Sequence, residues 1–498
     1  MVGRTRPGGR GWDGVLLICR GSSRTMPRYK ISGIYVSFPF KAYDCQIDYM
    51  RKVIDALEGK ANALLESPTG TGKTLCLLCA SLGWLRSKKK KNRRKKTKEA
   101  TNADGSSEDD DNDNDDGVEE DDEGDGDPST TSRTIVYSSR THSQLAKIVK
   151  ELRSTTYRPK TCVLGSRKQM CIHKDVSKLS GTAQIQACRS LVGKQECSAH
   201  NRVQPWLAEN KKAATELLDI EDLVKIGRSG GGCPFYISKE LQTDAELVIL
   251  PYNYMVDPKI RKTMTSFDWE RCTLIFDEAH NLERVCTDAA SFDLPSVKLS
   301  QCISEVQSAI EHKLQAAGNV YSESLGADES DVEAFRVTKA ILCNLEKVIA
   351  SHAFPPSGEG LTFPGDYIFK LLAKVEITPD NFHLFAEQLQ NVLQALGERD
   401  EQMGIGRKAY VISVLQDAIK IVERSMGTLS ENDPPMFEGY RVHIAEKPKE
   451  TGPNLKRSAN PMTTAFKRMP TLSFWCFLPG IAMRELVKLG VESIIVTR

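Results

Sequence analysis

The sequence predicts an α/β fold built on a parallel sheet, with a cysteine-bearing segment and a helical region inserted into it. Three observations carry that reading. The first is the glycine-rich run SPTGTGKT at 67–74, which follows the apolar run ANALLES (61–67) and precedes the apolar helix LCLLCASLGWL (75–85). Strand, tight glycine loop and helix together aim backbone N–H groups at phosphate. The second is a set of further apolar runs, RTIVYSS at 133–139, AELVILPY at 245–252 and CTLIFDEAH at 272–280. The last two are apolar enough to be covered on both faces, as central parallel strands are. The third is a change of period between 290 and 440, where VKLSQCISEVQSAIEHKL and DNFHLFAEQLQNVLQAL place apolar residues at helical spacing.

A chain of 498 residues buries a large core and divides into several domains. Its formal net charge of +2 conceals a cancellation, because residues 86–127 hold 10 Lys and Arg against 16 Asp and Glu. The remainder is mildly basic, which suits a polyanionic partner without demanding one. The 14 Cys sit mostly in apolar runs with no secretory leader before them, so reduced thiols or metal ligation are expected rather than a disulfide framework. The longest early apolar run, GVLLIC at 14–19, is far too short to span a bilayer, and no membrane partner is expected.

Residues 1–28 read as a disordered extension, with Met26 opening a segment that looks like a natural beginning. Residues 86–132 join KKKKNRRKKTK (88–98) to a long Asp, Glu, Asn, Gly and Ser tract. Self-repelling charge with little apolar surface predicts disorder there. The basic run reads as a nuclear localisation signal or a nucleic-acid patch, and the expected location is the nucleus.

The phosphate loop comprises Ser67, Pro68, Thr69, Gly70, Thr71, Gly72, Lys73 and Thr74, with Ser67 where the strict pattern has Gly. Lys73 is the residue type that reaches the terminal phosphates of ATP, and a Thr74 hydroxyl is suited to Mg2+. The apolar strand LIF ends in Asp277, Glu278 and His280, of which Asp277 is placed to hold Mg2+ and Glu278 to orient or deprotonate water. These residues form the expected catalytic set with Lys73.

The order of phosphate loop, SSRTHSQ and Asp-Glu-Ala-His resembles a superfamily 2 helicase core. More closely, the chain resembles the XPD-like iron-sulfur DNA helicases, and within them the branch that regulates telomere elongation. The match is carried by VSFPFKAYDCQ (36–46), LLESPTGTGKTLCLLC (64–79), YSSRTHSQL (137–145), VLGSRKQMC (163–171), LDIEDLVKIG (218–227), LPYNYMVDP (250–258), FDEAHN (276–281) and WCFLPG (475–480). It extends over nearly all of 29–497, with gaps at the charged insert and in much of the helical region. The Fanconi anaemia group J and ChlR-type helicases share many of these runs and are the sister alternatives.

The resemblance implies a RecA-like domain at 29–161, 234–290 and 441–498, an iron-sulfur domain at 162–233 and a helical arch at 291–440. It places Gln46 in the motif that reads adenine. It also assigns Cys171, Cys188, Cys197 and Cys233 to a 4Fe-4S cluster, although 16, 8 and 35 intervening residues would not suggest one by spacing, and zinc is the competing occupant. Cys162 is left as a spare thiol. Arg140, Thr141 and His142 fall in the family's DNA-touching motif Ia, and Arg167 and Lys168 add charge ahead of the first cluster ligand. Phosphate contacts of this kind position DNA without reading its sequence. Tyr252 and Tyr254 are candidates for base stacking or for core packing.

By resemblance the reaction is ATP hydrolysis coupled to 5′ to 3′ movement on single-stranded and structured DNA in repair, recombination control and telomere maintenance. The expected protein is a monomer, with replication or repair proteins as partners. The chain ends straight after the strand VESIIVT, where relatives continue into a second RecA-like domain that supplies arginine fingers. The expectation is therefore a chain that binds nucleotide yet unwinds little alone, or a non-catalytic regulatory form.

Overall fold

The computed structural model describes residues 26–68, 70–103, 133–264, 267–318, 325–355, 359–403, 410–428, 433–447 and 469–498. Thr69, the extension before Met26 and residues 104–132 of the charged insert lie outside the described residues. In chain order the strands are β1 (Arg28–Ile31), β2 (Ile34–Ser37), β3 (Ala63–Leu65), β4 (Thr134–Ser139), β5 (Thr161–Val163), β6 (Leu247–Pro251), β7 (Cys272–Phe276), β8 (Phe292–Pro295), β9 (Leu361–Pro364), β10 (Tyr440–Lys447), β11 (Met469–Cys476) and β12 (Ser493–Thr497). Because Arg28 already belongs to β1, the expected disordered extension to residue 28 is too long.

Six strands form the central sheet in the order β3-β12-β7-β4-β6-β5, with every neighbouring pair parallel. Successive residues of a strand point to opposite faces. Ile135, Tyr137 and Ile275 accordingly enter one core, while Val136, Leu274 and Phe276 enter the other. Fully burying a side chain such as Phe276 contributes about 1.5–3 kcal/mol. Two covered faces explain why these strands read as continuous apolar runs instead of alternating.

One face carries three helices that position the site. Helix α1 (Asp44–Glu58) buries Met50, Val53, Ile54 and Leu57 at helical spacing and stops at Gly59. Helix α2 (Lys73–Ala103) starts inside the phosphate loop. Helix α3 (His142–Arg153) begins with a capping box, in which Thr141 Oγ1 accepts from Gln144 N at 3.3 Å and Gln144 Oε1 accepts from Thr141 N at 3.0 Å.

Two expectations change. The disorder predicted from residue 86 is overturned as far as Ala103, where α2 continues unbroken. Lys and Arg are good helix formers, and extending a helix that already exists avoids the cost of nucleation. The boundary at 441 also shifts. Strands β10 and β11 join β8 and β9 in a separate antiparallel sheet ordered β8-β11-β10-β9. Their Val442, Ile444, Leu472 and Phe474 share a core with Phe335 and Leu342 of the helix Leu325–Ala350 and with Leu389 of Phe382–Gln402. Past residue 476, the helix Gly480–Lys488 and β12 return to the parallel sheet. The fold class is thus the expected one, a RecA-like α/β sheet with a helical arch region.

Candidate nucleotide site and cysteine pocket

The phosphate loop leaves β3 at the carboxyl edge of the parallel sheet, beside β12, where Ser67 N donates to the Arg498 carbonyl at 3.2 Å. Gly70 and Gly72 adopt φ of +86° and +77°, a region that favours glycine. A Cβ on Gly72 would also lie 3.1 Å from Gln46 Nε2. Inside the loop, Thr71 Oγ1 donates to the Pro68 carbonyl at 2.9 Å and lies 2.8 Å from Ser67 Oγ. Lys73 is buried, and its Nζ donates to the Ser67 carbonyl at 2.9 Å.

Gln46 connects the loop to α1. Its Nε2 donates to the Thr71 carbonyl at 2.9 Å, while its Oε1 accepts from Tyr43 N at 3.0 Å. The resemblance implies a base-reading amide; in this structure the amide also ties the loop to α1 through the Thr71 carbonyl.

Opposite Lys73, at the end of β7, Asp277 is 3 % exposed. Its Oδ2 accepts from the Tyr137 hydroxyl at 2.8 Å and from Thr74 Oγ1 at 3.2 Å. Its backbone is held as well, since Asp277 N donates to the Ser138 carbonyl at 2.9 Å and the Tyr252 hydroxyl donates to the Asp277 carbonyl. Burial pushes the Asp277 carboxyl above its ordinary value, outweighing the hydrogen bonds that pull it down. Asp277 Oδ1 is buried without any hydrogen-bond partner. An orphaned carboxylate oxygen next to a threonine hydroxyl fits a hard cation such as Mg2+.

Glu278 follows with φ +59° and ψ +43°, a left-handed conformation that costs a non-glycine residue about 1 kcal/mol or more. Its half-exposed carboxylate lies 3.6 Å from His280 Nδ1. The structure therefore gathers Gln46, Lys73, Thr74, Asp277 and Glu278 at one edge of the sheet. Sequence reasoning missed Tyr137 and read Tyr252 as a stacking or core residue; both hydroxyls donate to Asp277, Tyr137 to the carboxylate and Tyr252 to the carbonyl. The available signal was a tyrosine near the end of an apolar strand run in each case.

The DNA candidates fare differently from one another. Arg140 and Thr141 are exposed at the end of β4, but the Thr141 hydroxyl caps α3. His142 is half-buried, its Nδ1 has no partner, and burial lowers its pKa. Lys168 is exposed. Arg167 instead turns inward, its guanidinium 4.1 Å from the centre of the Phe235 ring. Burial opposes its charge, but hydrogen bonds with Cys188 and Tyr236 outweigh that and hold its pKa above the ordinary value. Tyr252 is buried, and Tyr254 packs against the same core.

Cys171, Cys188, Cys197 and Cys233 line one pocket, together with His173 and Tyr236. Three of the four stand at helix ends, with Cys171 closing Arg167–Met170 and with Cys197 and Cys233 immediately preceding Ser198–Asn201 and Pro234–Gln242. Burial pushes the Cys233 thiol up to about 11. Among the described residues no group of three or more His, Cys, Asp or Glu stands in a metal-holding arrangement. The donor set nevertheless fits a thiophilic centre, because four thiols converge from separate segments on one cavity. Cys162 lies outside it, with its thiol donating to the Ser238 carbonyl at 3.0 Å in the core.

Two family models match the chain, DEAD_2 over residues 137–299 and "RTEL1 helicase, ARCH domain" over 301–479. The regulator of telomere elongation helicase 1 homolog of Oryza sativa subsp. japonica is 45% identical over 481 residues, covering 95% of this chain and 46% of that protein. Its Arabidopsis thaliana counterpart is 40% identical over 487 residues, covering 97% of this chain and 44% of that protein. Regulator of telomere elongation helicase 1 of Homo sapiens is 38% identical over 489 residues, covering 95% and 39%. The chain thus spans less than half the length of these relatives. A solved XPD helicase aligns at 15% identity with a TM-score of 0.42, covering 92% of this chain and 58% of that one. That likeness is loose, and the assignment rests on the sequence relatives and the two family models. Over the residues given, the chain carries the DEAD_2 and RTEL1 ARCH family matches and resembles the regulators of telomere elongation among the XPD-like helicases.

Proposed function

We propose that this chain forms the ATP-binding part of a nuclear 5′ to 3′ DNA helicase that works in DNA repair, recombination control and telomere maintenance. The observation that carries the reading is the convergence of Thr74 and Tyr137 on one oxygen of Asp277, with its other oxygen orphaned beside the phosphate loop. In this reading the loop N–H groups and Lys73 hold the phosphates of ATP, which requires Lys73 to leave the Ser67 carbonyl. Thr74 and Asp277 hold Mg2+. Glu278 orients or deprotonates the attacking water, and His280 lies within reach of its carboxylate.

Cys171, Cys188, Cys197 and Cys233 would hold a 4Fe-4S cluster, whose contribution when bound is to fix the fold of 162–233 near the strand-separating region. Arg140 and Lys168 would touch DNA phosphates. The domain reading that follows is a RecA-like unit interrupted by a cluster domain and by an arch that includes β10 and β11.

The direct test is ATP hydrolysis by the purified chain with and without single-stranded DNA, beside Lys73→Ala and Glu278→Gln. The reading expects Mg2+-dependent binding of an ATP analogue that Lys73→Ala abolishes and Glu278→Gln keeps, with any DNA-stimulated turnover lost in both variants. A chain that binds no ATP analogue in the presence of Mg2+ would overturn it.

A further inference from the structure

The basic run after Arg86 plays no part in the site described above, and its place in the fold is specific. Helix α2 leaves the phosphate loop at Lys73 and runs back across the sheet, so that Lys88 lies about 22 Å further along its axis. There Lys88 Nζ pairs with Glu58 at 2.8 Å, and Lys89 pairs with Glu246, the residue preceding β6. Arg133, preceding β4, pairs at 2.9 Å with Glu492, which precedes β12, and its guanidinium lies 6.0 Å from the Trp84 ring. All these anchors lie at the amino edge of the parallel strands. Lys73, Asp277 and Arg140 lie at the carboxyl edge. From this anchored root α2 continues as a helix, with Lys90, Lys91, Arg93 and Arg94 all exposed.

Past the two anchoring lysines, seven of the nine residues from Lys90 to Lys98 are Lys or Arg. At a rise of about 1.5 Å per residue the helix therefore carries one cation per roughly 1.9 Å, close to the spacing of about 1.7 Å between phosphate charges along a DNA duplex. The acidic tract at 108–127 is the internal competitor, with 14 Asp and Glu in 20 residues. An extended chain of that composition, at about 3.3 Å per residue, spaces its charges roughly 4.7 Å apart. That spacing is wider than the duplex's, so cations that bind the tract release fewer condensed counterions than cations that bind a duplex.

We propose that the exposed basic extension of α2 is a second, sequence-independent contact for nucleic-acid backbone, at the sheet edge opposite the nucleotide loop. It rests on the helicase reading for the nature of the polyanion. Its effect is to keep the chain on DNA while the other edge binds and releases.

The test is fluorescence anisotropy with a DNA duplex and the whole chain across a salt titration, without nucleotide. The variant replaces Lys90, Lys91, Arg93 and Arg94 by Gln, which preserves helix propensity. The plot of log affinity against log salt should become shallower by roughly 3 to 4, at about 0.9 for each phosphate that is no longer neutralised. An unchanged slope overturns the proposal. So does a slope that responds only after the Asp and Glu of 108–127 are replaced by Asn and Gln, because the arm is then occupied by its own chain. Arg140→Ala in the same titration reports the opposite edge. An effect there with none at the arm overturns this inference and leaves the helicase reading standing. A normal arm effect in a chain that binds no ATP analogue in the presence of Mg2+ does the reverse.

Discussion

The Tyr137 hydroxyl donates to Asp277 Oδ2 at 2.8 Å across the boundary between β4 and β7, so a strand with no phosphate motif of its own sets the carboxylate of the nucleotide site. Thr74 supplies a second donor to that oxygen, from the first turn of α2. Tyr137→Phe removes one of these two donors while leaving the ring that fills the core. A hydrogen bond to a charged group is worth about 1.5–3 kcal/mol. The expected outcome is a loss of roughly 10-fold or more in Mg2+-dependent affinity for an ATP analogue, with DNA binding in the absence of nucleotide unchanged. Titration of a fluorescent ATP analogue at several Mg2+ concentrations checks it.

Gln46 gives a sharper test of what the resemblance implies. Its amide oxygen and nitrogen each spend one bond on Tyr43 N and on the Thr71 carbonyl. If bracing the loop is its work, Gln46→Ala weakens ATP and GTP analogues by the same factor, about 5- to 150-fold for a loss of 1–3 kcal/mol. If it reads adenine, ATP weakens and GTP does not. Competition of the two nucleotides against one fluorescent analogue separates the cases.

The four pocket cysteines predict a common response to substitution. Cys171→Ser, Cys188→Ser, Cys197→Ser and Cys233→Ser should each lose iron, labile sulfide and the brown absorption of the isolated protein. Cys162→Ser should keep all three, since its thiol bonds to the Ser238 carbonyl away from the pocket. Iron and sulfide analysis of the purified variants decides it, and zinc in place of iron would overturn the cluster assignment.

The parts of this molecule that are legible in its sequence are those where local pattern and tertiary role coincide. SPTGTGKT must be a loop because Gly70 and Gly72 take positive φ, and LIFDEAH must end a buried strand because both sheet faces are covered. Where role depends on a neighbour brought from far along the chain, the pattern is silent. Tyr137 reads as one more strand aromatic until β7 places Asp277 beside it. Arg167 reads as a surface cation until Phe235 supplies a ring for it to cover. The segment from 441 reads as a return to the RecA-like domain; only the pairing of β11 with β10 and β8 reveals an antiparallel sheet in the arch. The helix through the basic run is hidden because its charge argues for disorder while its anchor points, Glu58 and Glu246, are distant in sequence.

Glu492 offers a prediction about acid stability. Its side chain is 6 % exposed and joins Arg133 and Lys60, at 2.9 and 3.0 Å, just before β12 enters the sheet beside the phosphate strand. Burial alone would raise its pKa, but the hydrogen bonds from Arg133 and Lys60 outweigh it, and the carboxyl sits below its ordinary value of about 4.5. A carboxyl lowered in the folded state binds fewer protons there than in the unfolded chain, so stability falls as pH falls. The contribution is complete above about 4.5 and is lost as the pH drops through the lower folded-state value. Glu492→Gln keeps the shape and removes the charge, at a cost of about 1–3 kcal/mol near neutral pH. That deficit should shrink steadily below the ordinary carboxylate value, until wild type and variant unfold alike. Urea unfolding of both proteins over a pH series measures the difference. A deficit that persists unchanged into acid would show that the substituted amide disturbs packing and that the Arg133 ion pair is not what holds β12 in place.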